Sequence, residues 1–381
     1  MTTTIKGANY KTGDSIEVQI VDNLISQIVG HPSENSSQII APGLVDLQVN
    51  GFKGIDLNSG ELTEDEVIQI TQFLWEEGVT AFLPTLITNS SAKIESAIDA
   101  IVQACDKKVL VGKSILGIHL EGPFLSKEDG PRGAHPMEHI QNPDWQLFSE
   151  WQERSGNRIK KITLAPELPG AVEFIGRCAE VGVLVSLGHT AASPEKIQEA
   201  VKAGAKMSTH LGNAAHLSLP RHPNYIWEQL ASDELWISLI ADGFHLPESV
   251  IKVFTKVKPN TSILVSDSTK FAGLSAGTYS SHIGGDIELS TEGRLFMKRS
   301  PELLAGSAQS LLGCVNHMMK SDLANLPTAI DMASLKPMEL MSGTLQKLNS
   351  KSPTDIVVFE KGKSGLSVIK TFKSGQLVFT R

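Results

Sequence analysis

Between residue 40 and residue 267 the chain repeats one pattern: a short apolar run without polar alternation, then a stretch in which apolar residues return at helical spacing. The runs cover 40–49, Val79–Leu86, Ser114–Glu121, Lys161–Glu167, Leu184–His189, Lys206–His210, Trp236–Asp242 and Ser262–Asp267. Unbroken apolar runs of this length suit parallel strands buried on both faces. Two of the intervening stretches open on Thr63-Glu-Asp-Glu66 and Ser193-Pro-Glu195, side chains that cap and charge the first turn of a helix. Eight strands with helical crossovers predict an α/β fold, a (β/α)8 barrel of the TIM type.

The two ends of the chain read differently. Ser15-Ile-Glu-Val-Gln-Ile20 alternates strictly, and Asp355–Phe359, Leu366–Ile369 and Gln376–Phe379 are short strand-like runs separated by Lys-Gly and Ser-Gly turns. Strands without helices between them predict a small β-sandwich domain built from both termini, residues 1–40 plus 350–381, around a catalytic barrel of 41–349. Two insertions interrupt the barrel pattern: a Gly- and Pro-containing loop over 122–142, and an apparent hairpin over 277–297. In a barrel, long irregular connections of this kind belong to the active face.

Composition narrows the function classes. The 381 residues carry 34 Lys and Arg against 42 Asp and Glu, a formal charge of −8, with 20% charged and 41% hydrophobic residues. A folded globular protein is expected, and neither disorder nor a nucleic-acid platform. No run approaches the roughly 20 apolar residues of a membrane helix, and Met1–Tyr10 has no signal-peptide core, so no membrane partner and a cytoplasmic location are expected. Cys105, Cys178 and Cys314 are far apart and read as buried reduced side chains. The scattered tryptophans read as core.

The chemistry gathers where the apolar runs end: Gln48 and Asn50, then Glu121, Glu167, His189, His210, Asp242 and Asp267. A strand has no packing reason to finish in a carboxylate or imidazole, whereas a barrel enzyme carries its reacting groups at that end. Glu121, His189 and His210 offer one carboxylate and two imidazoles, a set that holds a divalent zinc with one position left open. Asp267 would then face a metal-activated water as proton acceptor and donor. Either histidine alone reads as a hydrogen-bonded strand end; the four placements together point to a metal site. His119, two residues before Glu121, is expected to pack beside the site without ligating, and Glu167 similarly.

Several stretches together resemble the N-acetylglucosamine-6-phosphate deacetylase family of the amidohydrolase superfamily. They are Pro42-Gly-Leu-Val-Asp46 with Gln48-Val-Asn50-Gly51, His119-Leu-Glu-Gly-Pro-Phe124 with Gly133-Ala-His135, Gly188-His189, Thr209-His-Leu211 with Asn213-Ala214, Ile240-Ala-Asp-Gly243 with His245, Val265-Ser-Asp267, and Leu304-Ala-Gly-Ser307. The resemblance runs nearly end to end in order and spacing. It implies hydrolysis of N-acetylglucosamine 6-phosphate to glucosamine 6-phosphate and acetate, in amino-sugar catabolism. It implies one divalent ion held by Glu121, His189 and His210, Asp267 as catalytic acid and base, and His135 on the acetamide carbonyl. It places Asn213, Ala214 and Arg221 on the sugar phosphate, Asp242 and His245 beside the substrate, and Ala134 with the Leu304, Ala305 and Gly306 backbone along the pocket. A homodimer is implied too, since some phosphate contacts in the family come from the neighbouring subunit.

The departures from the family pattern bear on metal count and specificity. Gln48-Val-Asn50 stands where many amidohydrolases carry His-x-His, which removes the ligands of a second metal, so one metal per site is expected with Gln48 and Asn50 hydrogen-bonding near it. Leu211-Gly-Asn-Ala-Ala-His216 lacks the usual aromatic and methionine, and Lys270 stands where a small apolar residue is usual. His216 and His222 could meet phosphate or simply fix a loop, and Arg221 could be a solvated surface arginine. Zinc, iron, manganese and cobalt all remain possible ions. The same chemistry on N-acetylgalactosamine 6-phosphate or an unphosphorylated N-acetyl sugar stays open, with a dihydroorotase- or aminoacylase-like enzyme and a non-catalytic sugar-phosphate sensor further off.

Overall fold

The computed structural model describes residues 2–30, 37–281, 285–342 and 355–381. Eight parallel strands lie hydrogen-bonded in chain order: Leu44–Val49, Val79–Ile87, Ile118–Glu121, Ile159–Leu164, Leu184–Leu187, Met207–Ser208, Trp236–Leu239 and Ser262–Leu264. The first and last meet through a parallel bridge between Val49 and Ser268, and Ser266 donates its backbone N–H to Asp46 Oδ1 at 3.2 Å. The predicted TIM-type barrel is therefore present, nearly closed. Helices bury apolar faces against it. The first, Glu64–Glu76, starts on a complete capping box between Thr63 and Glu66, and Pro194–Ala203 starts on the Ser193 hydroxyl with Pro194 in its first turn.

The expected strand limits need correction at several points. The run over 40–49 is two strands in two sheets, Gln38–Pro42 and Leu44–Val49, separated at Gly43. A Cβ on Gly43 would overlap the Thr80 side chain, so only glycine lets the chain pass between the sheets there. The run beginning at Ser114 starts as a helix, Val109–Ser114, fixed by Trp75 Nε1 donating to Ser114 Oγ at 3.1 Å. The sixth strand has shrunk to Met207–Ser208. Strands four to eight all stop two to three residues before the polar residue expected to end them, because the loops that follow are buried like strands. The excursion after strand eight is not one hairpin but four antiparallel strands, Gly277–Ser281, Gly285–Leu289, Leu295–Met297 and Ser300–Leu304, with a small core of their own.

The terminal strands form one seven-stranded sheet, in which Gln38–Pro42 lies between Thr2–Asn9 and Ile356–Gly362. Alternation divides its faces. Ile40, Ile356 and Val358 join Ile5, Val18, Ile25 and Phe372 in a separate core, while Ile39, Ala41, Val357 and Phe359 join the main core of the barrel and its helices. The expected boundary near 349–350 lies outside the described residues. A further cluster draws on Val45, Ala81, Met207 and Ile263, with Leu116, Leu184 and Trp236 from the starts of the odd-numbered strands, and Met338, Leu340 and Met341 of the helix Leu335–Ser342 cover it. That helix closes the N-terminal end of the barrel, which leaves the C-terminal end for the site. No helix among the described residues is long and apolar enough to cross a membrane.

Candidate active site

Three ligand atoms converge at the C-terminal end of the barrel. Glu121 closes strand three, and His189 and His210 lie in the loops after strands five and six. His189 Nε2 and His210 Nε2 stand 3.2 Å apart, and Glu121 Oε1 lies 3.4 Å from the first and 3.2 Å from the second. All three side chains are buried. His189 Nδ1 donates to the Pro131 carbonyl at 2.9 Å, which keeps the proton off Nε2, the nitrogen a metal would take. Burial pushes the Glu121 carboxyl up, but hydrogen bonds and charge from His189 and His210 outweigh it and hold the group well below the carboxylate range. Burial works against protonation of His210 as well, yet its bond to Glu121 and that residue's charge raise it. The cluster therefore attracts positive charge at its centre, which a proton supplies in one form and a divalent cation in another. Among the described residues this is the one group of His, Cys, Asp and Glu drawn close enough to hold an ion.

Two further groups frame that centre. Asp267, in the loop after strand eight, accepts from Asn50 Nδ2 at 2.7 Å; burial and the charge of Glu121 raise its carboxyl above the usual range. His135 is buried in the long loop after strand three, its Nδ1 2.9 Å from Thr88 Oγ1 and its ring 4.3 Å from that of His189. Burial and the neighbouring His189 push its pKa down to about 3, so the ring is neutral. Gln48 lies behind the ligands and donates from Nε2 to Glu121 Oε1 at 2.9 Å. The bond holds the Glu121 carboxylate, and Gln48 does not line the cavity that Glu121 lines.

Backbone conformation marks the same residues. His189, His210, Ala214 and Asp267 adopt φ of 51°, 30°, 46° and 48°, a left-handed region that non-glycine residues enter rarely and at a cost. Turning the backbone there aims each side chain back across the barrel mouth. Left-handed conformation leaves only a weak mark at histidine and aspartate and none at alanine, so these loop positions read as strand ends.

Glu121, His135, His189, His210, Asp267, Asn50, Ala134 and residues Leu304 to Gly306 line one cavity of about 230 Å³. The other predicted residues stand apart. Asn213 and Ala214 line an adjoining cleft that shares His189, and Asn213 Nδ2 donates to the His210 carbonyl at 3.2 Å. Asp242 accepts from His245 Nδ1 at 2.7 Å and from the Phe244 and His245 backbone N–H groups; burial raises its pKa and His245 outweighs this to lower it, but neither side chain lines the cavity. Arg221 is exposed and makes no hydrogen bond or ion pair with another described residue. His216 is tied to Tyr225 and to Glu128 Oε2, each at 3.0 Å, which is the loop-fixing alternative, and His222 is exposed. His119 sits between Thr85 Oγ1 and Thr163 Oγ1 at 3.2 and 2.7 Å, away from the ligand atoms, and Glu167 accepts from Thr190 Oγ1 and Ala191 N. The three cysteines are buried and free. Trp227 is exposed, unlike the core tryptophans expected. His31 and His282 lie outside the described residues.

Sequence reading missed Thr88, which meets the His135 ring, and the Pro131 carbonyl, which sets the His189 tautomer, and it missed a charged layer beneath the site. There Asp46 and Lys161 are both fully buried, and Lys161 Nζ has no hydrogen-bonding partner among the described residues. The signal was available: Asp46 lies two residues before Gln48 and Lys161 two before Thr163, each on the face its neighbour shares.

The sequence profile of the amidohydrolase family matches residues 39–378. The N-acetylglucosamine-6-phosphate deacetylase of Bos taurus is 32% identical over 352 residues, covering 90% of this chain and 83% of that protein. The deacetylase of the same name from Bacillus subtilis (strain 168) is 34% identical over 300 residues, covering 76% and 74%. In the solved structure of the Thermotoga maritima N-acetylglucosamine-6-phosphate deacetylase, the match covers 100% of both chains with a TM-score of 0.83 at 26% identity. The chain belongs to the amidohydrolase family and, within it, to the N-acetylglucosamine-6-phosphate deacetylase family.

Proposed function

We propose that the protein is a metal-dependent deacetylase that hydrolyses N-acetylglucosamine 6-phosphate to glucosamine 6-phosphate and acetate, in amino-sugar catabolism. The observation that carries the reading is the meeting of Glu121, His189 and His210 with Asp267 and His135 in one cavity. Glu121 Oε1, His189 Nε2 and His210 Nε2 would hold one divalent ion per chain. Zinc is the ion this donor set with an open position favours, and iron, manganese or cobalt accept the same donors. Such an ion, when bound, supplies Lewis acidity towards a carbonyl and lowers the pKa of a water.

The chain's own groups account for the rest of an amide hydrolysis. Asp267, held by Asn50, takes a proton from the attacking water and passes it to the departing nitrogen as the carbon–nitrogen bond breaks, a shuttle that its raised pKa favours. Thr88 Oγ1 meets His135 Nδ1, and in the tautomer that carries its proton on Nε2 the neutral ring donates to the acetamide oxygen. Asn213, Ala214 and Arg221 would take the phosphate, for which a planar guanidinium is well suited. Asp242 holds His245 for the sugar, and Ala134 with Leu304, Ala305 and Gly306 forms the pocket wall. Arg221 is exposed in the same stretch of chain as Leu217 at 96% and Trp227 at 53% exposure, which supports a homodimer in which each chain lends its arginine to its neighbour. A phosphorylated sugar is a charged solute that crosses no bilayer unaided, which supports the cytoplasm as the place of work.

The test is acetate release by metal-replete protein from N-acetylglucosamine 6-phosphate, N-acetylglucosamine and N-acetylgalactosamine 6-phosphate. Preference for the first is expected. The 212–216 loop, in which Gly212 at φ +94° packs on Leu246 and Phe254, departs from the family pattern, and the alternative is the same chemistry on another N-acetyl sugar. Preference for another sugar would move the substrate accordingly, and no acetate from any of them would contradict the deacetylase reading and leave a sugar-phosphate sensor.

A further inference from the structure

The catalytic cavity has one charged wall that amide hydrolysis leaves unused. Lys270 and Asp56 both line it, and their side chains form an ion pair with Nζ 3.3 Å from Oδ2. Backbone bonds brace this wall. Gly51–Phe52 and Ile55–Asp56 form a two-stranded hairpin that lies on the segment following Asp267. Gly51 N donates to the Ser268 carbonyl at 3.0 Å, Gly54 N to that of Lys270 at 2.7 Å, and Lys53 N to that of Ala272 at 2.8 Å. A Cβ on Gly51 would overlap the Ile55 carbonyl and the Lys270 backbone nitrogen, so the close approach requires glycine. The stem of Lys270 runs beside Phe271, with Nζ 5.4 Å from the ring centroid. Asp267 is only three residues away, so one braced segment carries both the acid/base group and this pair.

Opposite charges this close cancel at a distance and give no net pull on a phosphate. At short range they present a donor and an acceptor side by side, the complement of two adjacent hydroxyls. In a 6-phosphorylated N-acetylhexosamine, C2 carries the acetamide, C6 the phosphate, and the ring oxygen joins C1 to C5. The one pair of adjacent free hydroxyls is then at C3 and C4. We propose that Lys270 and Asp56 together read the C3–C4 diol of the sugar and set which C4 epimer the site accepts. The proposal rests on the deacetylase reading and deepens it, by assigning sugar specificity to the Lys270–Asp56 pair.

A cycle of protein variants against substrate analogues tests it, with kcat/KM measured for N-acetylglucosamine 6-phosphate, its C4 epimer, and its 3-deoxy and 4-deoxy analogues. Lys270→Met keeps the stem beside Phe271, and Asp56→Asn is the independent second variant; Tm confirms that each is folded. Each variant is expected to lose about tenfold or more on the parent sugar, the size of one hydrogen bond to a charged group. On the deoxy analogue that lacks its hydroxyl partner, each should lose nothing further, and discrimination between the C4 epimers should fall towards unity. Equal fold losses on parent and both deoxy sugars would overturn the proposal and leave deacetylation standing. No acetate from any sugar with the unmodified protein would overturn the deacetylase reading itself, and the proposal with it.

Discussion

Asp267, His189 and His210 share a left-handed backbone conformation that residues other than glycine enter rarely, and all three are proposed to act in the hydrolysis. The strain is held by surroundings that over-determine it: Asn50 grips the Asp267 carboxylate, the Pro131 carbonyl grips His189, and the Ser238 hydroxyl accepts from His210 N at 2.8 Å. Arg221 is the opposite case, an exposed side chain with no hydrogen bond or ion pair to another described residue. Arg221→Ala is therefore expected to leave the fold and kcat nearly untouched, and to raise KM for the phosphorylated sugar at least tenfold more than for the unphosphorylated one. Equal effects on the two sugars would end its assignment to the phosphate. At this scale the meeting of Glu121, His189 and His210 with Asp267 and Asn50 was legible because each combines a chemical residue type with the end of an apolar run. Thr88 was not, because a threonine after a strand has many structural uses.

The barrel strands explain a second class of residue. Lys161 lies in the middle of strand four, fully buried, and desolvation pushes its pKa down to about 8 although the charges of Glu121, Asp267 and Asp46 resist this. Burial likewise pushes Asp46 up to about 7. A lysine whose folded pKa is depressed costs stability once both states are protonated, so the penalty is complete below about pH 8 and vanishes above the ordinary value of 10.5. Lys161→Met is accordingly expected to melt at a higher temperature than the parent at pH 7, with the gap closing as the pH rises from 8 to 10.5. A gap independent of pH, or a less stable variant, would show that Lys161 is not paying a desolvation penalty. Element limits were less legible than elements. The four-stranded excursion looked like a hairpin because its last strand, Ser300–Leu304, contains Pro301, which is tolerated at the edge that this strand occupies. Polar loop residues after strands five to eight were read as strand because burial continues past the last ladder bond.

For the whole molecule, the sequence pattern carried the barrel and the β-domain from both termini, and it could not show that the latter is one sheet with a parallel pair between Thr2–Asn9 and Gln38–Pro42. Pairing between strands distant in sequence has no local signature. Assembly is a whole-molecule property too. If Arg221 serves the neighbouring chain, Asp267→Asn and Arg221→Ala subunits complement each other. Mixed and re-associated, they should regain activity on the phosphorylated sugar well above the sum of the two separate variants, since each heterodimer holds one site with both groups. No gain on mixing, with heterodimers demonstrated, would place Arg221 on its own chain's site or on none.

The central claim is that Asp267 moves the proton at a site whose ion is held by Glu121, His189 and His210. Steady-state acetate release from N-acetylglucosamine 6-phosphate by Asp267→Asn, with bound metal quantified on the same sample, tests it most directly. At least a hundredfold lower kcat, about the contribution of a general acid or base, with close to one ion per chain retained, is the predicted result. Turnover near that of the unmodified protein, or loss of the ion together with activity, would contradict it.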